Sequence, residues 1–213
     1  LLLAWAWPAG AQGTPPAAVA NAASDLELAE RDQFELQIEA PAPFDALLRR
    51  HMELRRFQRL PDLGLGELER LVAQAEANVR DLLGTQGHFS PTVTVSLEQA
   101  ESPTPTVQVR VVPGPRTTVA SVHLMLQGDA QSRPEAAAQR ARLHADWGLP
   151  TGEPFTQSAW DSAKSRALRG FTAHRYPRAQ LGTTLADIDP EAHAAHLYAE
   201  ITSGPAHGFG TVT

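Results

Sequence analysis

Cysteine is absent from all 213 residues. That single absence removes disulfide staples, thiolate metal ligands, redox pairs and cysteine nucleophiles together, and it suits an exported protein that does without disulfides. Lysine is nearly absent as well: Lys164 stands alone among 18 Lys and Arg residues. The formal net charge of −6 lacks the basic excess that a nucleic-acid footprint needs, so nucleic acid is not an expected partner. No internal apolar run is long enough to cross a bilayer as a helix. Catalytic signatures are missing too. The eight histidines form no HExxH pair, and no serine sits in a Gly-x-Ser-x-Gly elbow. Gly208-Phe209-Gly210 precedes a strand-like stretch rather than a helix, so it does not read as a phosphate loop. No cofactor is expected.

What the chain does have is a module written twice. A long amphipathic helix runs into an aromatic-plus-proline turn, two alternating strands follow, and a Gly-Pro step opens the next strand. The first copy has Leu68, Leu71, Val72, Ala75, Val79, Leu82 and Leu83 along the helix and turns at Gly87-His88-Phe89-Ser90-Pro91. The second has Trp160, Ala163, Ala167, Leu168 and Phe171 along the helix and turns at His174-Arg175-Tyr176-Pro177. Phe89 and Tyr176, like Gly114 and Gly204, lie about 90 residues apart, and a constant period marks an array of stacked units. Arrays bind or space other molecules more often than they catalyse.

Each copy reads β-α-α-β-β. In the first, Phe34, Leu36 and Ile38 alternate with Glu35, Gln37 and Glu39, which predicts a half-buried strand. A helix is expected from about Phe44 to Phe57, with Phe44, Leu47, Leu48, His51 and Leu54 on one face. After Pro61-Asp62-Leu63-Gly64 the long helix begins near Gly66. Val93, Val95 and Leu97 then alternate in one strand, and Val107, Val109 and Val111 in the next. In the second copy Val122, Leu124 and Leu126 mark a strand and Gly128-Asp129 a turn. A helix is expected from about Pro134 to Trp147. Thr156 is placed to cap the next helix, with Phe155 and Trp160 as its hydrophobic staple. Leu181, Thr183 and Leu185 share the inner face of the following strand, Asp187-Ile188-Asp189-Pro190 turns, and Leu197, Ala199 and Ile201 complete the sheet. The fold class is α+β: each three-stranded sheet has two helices on one face and its other face wet. Pro113-Gly114-Pro115 should make a short, stiff joint.

Such a sheet leaves an open edge, a row of free backbone N–H and C=O groups that can accept an extended segment of another chain. At the N-terminus, the apolar run Leu1 to Trp7 before Ala9-Gly10-Ala11 is expected to be the back half of a secretory signal peptide, residues 1–11. Residues 12–31, rich in Ala and Pro and then acidic, read as a flexible tether. The first module is expected over 32–112 and the second over 113–203, with 204–213 opening a third whose remainder lies downstream.

The pattern resembles the polypeptide-transport-associated (POTRA) domains that precede the β-barrel of bacterial outer-membrane assembly factors, and among these the TamA-like factors of the translocation and assembly module. Four stretches carry the resemblance: Leu48 to Leu54, Gly87 to Pro91, Trp147-Gly148-Leu149 through Gly152 to Phe155, and Ser203-Gly204-Pro205 running to Phe209-Gly210. Arg175 departs from the family pattern, which has Gly before the aromatic; a positive φ there would cost Arg on the order of 1 kcal/mol. The resemblance implies three such domains and a sixteen-stranded barrel, an outer-membrane location with the arm in the periplasm, and no enzymatic activity. It implies as partners a TamB-like inner-membrane protein, outer-membrane client proteins such as autotransporters, and the chain's own downstream barrel. It also implies strand order 1-3-2, which makes the second strand of each module the open edge. Those edges would be Thr92, Val93, Thr94, Val95, Ser96 and Leu97, and the stretch from Ala179 to Leu185 with Leu181, Thr183 and Leu185. The POTRA region of a two-partner secretion transporter or of the main barrel-assembly factor is the neighbouring alternative.

Two further clusters carry alternatives. Arg49, Arg50, Arg55, Arg56 and Arg59 crowd the first helix, either as a solvated face or as a surface for an acidic partner or lipid headgroups. Asp187, Asp189, Glu191, His193 and His196 read either as a polar hairpin tip or as the metal site of a soluble periplasmic enzyme.

Overall fold

A computed structural model describes residues 32–98 and 104–207. The expected signal-peptide remnant, the tether at 12–31 and the strand expected within 208–213 lie outside the described residues.

The first sheet begins with β1 (Glu35–Glu39), whose Leu36 and Ile38 turn inward while Glu35, Gln37 and Glu39 stay exposed. Helix α1 (Phe44–His51) buries Phe44 and Leu48. The expected helix to Phe57 stops here. Met52 is extended at φ −62°, ψ 125°, and Glu53–Phe57 forms a separate 3-10 turn. The reason lies in two buried residues, Met52 and Leu54, at 2% and 3% exposure. On a continuous helix, residues two apart point in nearly opposite directions, so only an extended step lets both enter the core. The Glu53 N–H freed by the break donates to Asn78 Oδ1 at 3.0 Å. His51, expected on the core side, is therefore left exposed at the helix end.

Helix α2 (Leu65–Gly84) buries Leu68, Leu71, Ala75, Val79 and Leu83, a stripe at helical spacing. Strands β2 (Thr92–Glu98) and β3 (Thr106–Val112) complete the sheet, with Val107, Val109 and Val111 all buried. β1 runs parallel to β3 and β2 antiparallel to it, so the order is β1-β3-β2. One apolar cluster gathers α1, α2 and the inward residues of all three strands on a single face.

The second sheet repeats this order as β4-β6-β5, built from β4 (Thr118–Gln127), β5 (Gln180–Asp189) and β6 (Ala194–Thr202). Between β4 and β5 lie α3 (Asp129–Ser132), a 3-10 turn at Pro134–Ala136, α4 (Ala137–Ala145) and α5 (Gln157–Thr172). The expected helix from Pro134 to Trp147 is thus shorter. Arg133 is extended before the proline, and the α-helical part ends at Ala145. Trp147 folds inward instead, donating its indole N–H to Leu149 O at 2.9 Å and stacking edge-on to Trp160. Thr156 caps α5 by accepting the Ala159 N–H at 3.1 Å.

β5 departs most from its expected pattern. Its register shifts between Leu181 and Thr184, so an extra residue enters the strand and later side chains change sides. Leu181, Thr184, Ala186 and Ile188 face inward, whereas Thr183 is exposed and Leu185 is 56% exposed. The strand also continues through Asp187 and Ile188, leaving the turn to residues 190–193.

The chain is α+β: a tandem of β-α-α-β-β units, each a three-stranded sheet in order 1-3-2 with its helices on one face.

Candidate functional site

The outer sides of β2 and β5 carry no further strand among the described residues. The opposite edges are less available. On β4, Val119 N–H donates to Glu153 O at 2.9 Å and Val119 O accepts from Gly152 N–H at 2.8 Å, so the loop before α5 covers the strand's start. β1 is only five residues long and presents Glu35 and Glu39. Short, charged edges resist strand addition, and a covered edge cannot accept it.

The two open edges differ in what borders them. Along β2, Val93, Val95 and Leu97 face the core, while Thr92 and Thr94 are exposed and Ser96 is half-buried. The wet face beside it is polar except for Val112, 59% exposed opposite Thr92: it carries Gln37, Gln108, and Arg110, whose Nε lies 2.8 Å from Glu39 Oε2. The Arg110 hydrogen bond and charge hold the Glu39 carboxyl below its ordinary value. Beside β5 the wet face mixes apolar groups with Asp187, His196 and Glu200. Leu185 sits opposite Tyr198 in register, Tyr198 sits opposite His123, and Met125 on β4 is 47% exposed. Leu185 reaches this face because of the β5 register shift; with strict alternation it would point into the core.

The arginine cluster on the first helix divides. Arg49 is paired with Asp45 at 2.9 Å and Arg59 with Asp32 at 3.3 Å. Arg55 donates to the Arg49 carbonyl. Arg50 and Arg56 are exposed. In the second cluster, Asp189 Oδ1 accepts the N–H groups of Glu191 and Ala192 at 3.0 Å each, and His196 Nδ1 meets Ser121 Oγ at 2.8 Å. Among the described residues, no three His, Asp or Glu side chains converge on a point that could hold a metal. Asp189 acts there as a turn former.

Between the sheets lies a joint that local pattern did not disclose. Gly87 O accepts the Thr117 N–H at 2.9 Å, and Thr117 O accepts the Phe155 N–H at 2.9 Å. Thr85 O, at the end of α2, accepts the Gln157 N–H that opens α5, at 3.0 Å. The carbonyl end of one helix therefore meets the amide end of the next, a favourable meeting of opposite partial charges. Phe89 lies against Phe155 with ring centroids 5.9 Å apart and joins the second unit's core. Ser90 Oγ donates to Pro190 O at 2.7 Å.

The turns after the two long helices also differ. At the first, Gly87 takes φ +88° and the His88 N–H reaches back to Leu83 O at 3.1 Å. At the second, the Tyr176 N–H reaches Phe171 O at 3.4 Å, and Arg175 is not among the residues with positive φ. The backbone cost considered for Arg175 does not arise.

Thr117 is fully buried at the joint, and its hydroxyl has no hydrogen-bond partner among the described residues. Replacing such a group by an apolar one of the same shape is close to neutral or stabilising. Thr117→Val is therefore expected to match or exceed the parent stability in urea denaturation; a loss above about 2 kcal/mol would mean that the hydroxyl is bonded after all.

Among the described residues no helix is long and apolar enough to cross a membrane. No protein-family model and no curated protein matches the sequence. Solved structures do. The POTRA3–5 segment of BamA from Haemophilus influenzae is 15% identical, with 82% of this chain and 67% of that chain covered and a TM-score of 0.42. POTRA1–2 of the periplasmic domain of Omp85 from Anabaena is 13% identical, covering 82% and 96% at a TM-score of 0.40. BamA from Haemophilus ducreyi lacking POTRA domains 1–3 is 18% identical at 0.40, and this chain spans only 29% of its length. Likeness at this level assigns no role to the chain.

Proposed function

We propose that this chain is the periplasmic, non-enzymatic arm of an outer-membrane protein-assembly factor of the POTRA–barrel type, with units over 32–112 and 113–203. It holds extended client or partner polypeptides by strand addition to β2 and β5. The observation that carries the reading is the pair of open edges beside a hydrogen-bonded joint: main-chain groups offered at fixed spacing, with little side-chain selection. The sequence stretches named above favour a TamA-like factor. A TamB-like inner-membrane partner, autotransporter clients and a downstream barrel belong to that reading. Leu185 would contact an apolar side chain of a strand seated on β5, whereas β2 would take a more polar one.

A photocrosslinker at Thr92, with an unfolded outer-membrane β-barrel protein as client, tests the edge. Val95→Pro removes an edge N–H: Pro105 O accepts from Glu35 on β1, so alternation turns the Thr94 N–H towards Arg110 and the Val95 N–H outward. Crosslinking should fall at least about fivefold, about 1 kcal/mol of binding, while the melting temperature drops by no more than about 5 °C. Undiminished crosslinking in a folded Val95→Pro chain would sink the assignment of β2.

A further inference from the structure

Arginines on most helices of this chain stand beside carboxylates one turn away: Arg49 with Asp45, Arg70 with Glu67, Arg80 with Glu76, Arg133 with Asp129. On α4 and α5 the pattern fails. Arg142, Arg166 and Arg169 have neither an ion pair nor a hydrogen-bond partner among the described residues. All three line one cavity of about 580 Å³ between these helices, together with His174 and a single carboxylate, Asp146. An adjoining hollow shares Arg142 and His174 and adds Arg175 with Glu135.

Three guanidinium groups around one cavity repel one another, and a chain of net charge −6 has carboxylates enough to pair them. They are instead left open. Gly148 is part of the arrangement, because a Cβ there would lie 2.9 Å from Arg166 Nη1 and 3.3 Å from its Cζ. The guanidinium rests against bare backbone, and any larger residue at 148 would displace it. Guanidinium forks match the oxygens of phosphate in geometry as well as charge. The volume exceeds that of a bare ion, and the buried side chains of Leu143 and Phe171 contribute to its lining, which leaves room for an organic substituent.

We propose that the cavity between α4 and α5 is a binding site for a phosphoester anion, held by Arg142, Arg166 and Arg169. Either a phospholipid headgroup or a soluble phosphate ester presents this chemistry. The site does not depend on strand addition, so failure of either proposal leaves the other standing.

The 213-residue chain is tested for flotation with phosphatidylcholine vesicles with and without phosphatidylglycerol, and by calorimetric titration with glycerol phosphate. Binding to phosphatidylglycerol vesicles alone assigns the lipid source, binding to glycerol phosphate alone the soluble one, and either supports the site. Arg142→Gln/Arg166→Gln/Arg169→Gln should weaken the productive interaction at least about tenfold. Arg49→Gln/Arg70→Gln/Arg80→Gln removes the same charge from paired positions and should change it less than about twofold. Gly148→Ala keeps every charge and should cost about threefold by moving Arg166, which keeps the test open if the triple variant misfolds. Binding to neither probe, equal losses in the two triple variants, or tighter binding of a polyglutamate peptide than of either probe would overturn the proposal.

Discussion

Gly87→Val is expected to open the joint between the two sheets and to cost at least about 3 kcal/mol. Two penalties act together. At φ +88° a branched side chain strains the backbone by about 1–2 kcal/mol. The added Cβ would also sit 2.1 Å from the carbonyl oxygen of Phe155, a backbone atom that cannot rotate away. Relief requires the Gly87–Thr117–Phe155 ladder to separate, which loosens the Gln157–Thr85 contact beside it. The expected signature is a lower first thermal transition and protease cleavage near residues 113–117, with the strands of each sheet still protected in hydrogen exchange. A melting curve within about 3 °C of the parent would show that the joint contributes little.

Tyr176→Ala is expected to cost about 3–5 kcal/mol, since it empties a fully buried aromatic position beside Phe171. The cluster it belongs to includes Ala130, Ala136, Leu143, Phe171, Ala179 and Ile201, so α3, α4 and the start of β5 should loosen with it. Tyr176→Phe separates volume from hydrogen bonding. The Tyr176 hydroxyl is buried with no partner among the described residues, so its removal should change stability by less than about 1 kcal/mol or raise it. Denaturant unfolding of both variants checks the pair. A Tyr176→Phe loss as large as that of Tyr176→Ala would mean that the hydroxyl, not the ring, is the stabilising group.

Much of the architecture was legible because it is written in short-range periodicity. Val107, Val109 and Val111 alternate, and Leu68, Leu71, Ala75, Val79 and Leu83 recur at helical spacing; both signals survive into buried positions. The helix N-cap at Thr156 was legible for the same reason: donor and acceptor are three residues apart. Where the pattern misled, a contact from elsewhere had overruled it. Asn78 receives the Glu53 amide where α1 breaks, which lets Met52 and Leu54 both turn inward and leaves His51 outside. The β5 register shift moves Leu185 to the wet face, and no alternation count could have revealed it, because an inserted residue keeps the composition and changes only the pairing.

The candidate site divides in the same way. Strands β2 and β5 were recognisable as strands, and the resemblance placed them at the edges, yet which opposite edge is covered depends on the loop at 152–154 lying against Val119. The three unpaired arginines of α4 and α5 escaped notice because Arg142 is more than twenty residues from Arg166, and neither is unusual alone. A count of helical charges lacking a carboxylate three or four residues away would have found Arg166 and Arg169 but not Arg142, which has Asp146 four residues on.

By itself, then, the sequence determined two α+β units of common layout, the face polarity of the strands other than β5 and the lack of thiols, since these follow from neighbours a few bonds apart. The tertiary structure alone decided the joint at Gly87 and Phe155, the turn of Leu185 to the wet face and the gathering of three guanidinium groups into one cavity. Each of those depends on groups tens of residues apart meeting at contact distance, and that geometry is set by packing rather than by local preference.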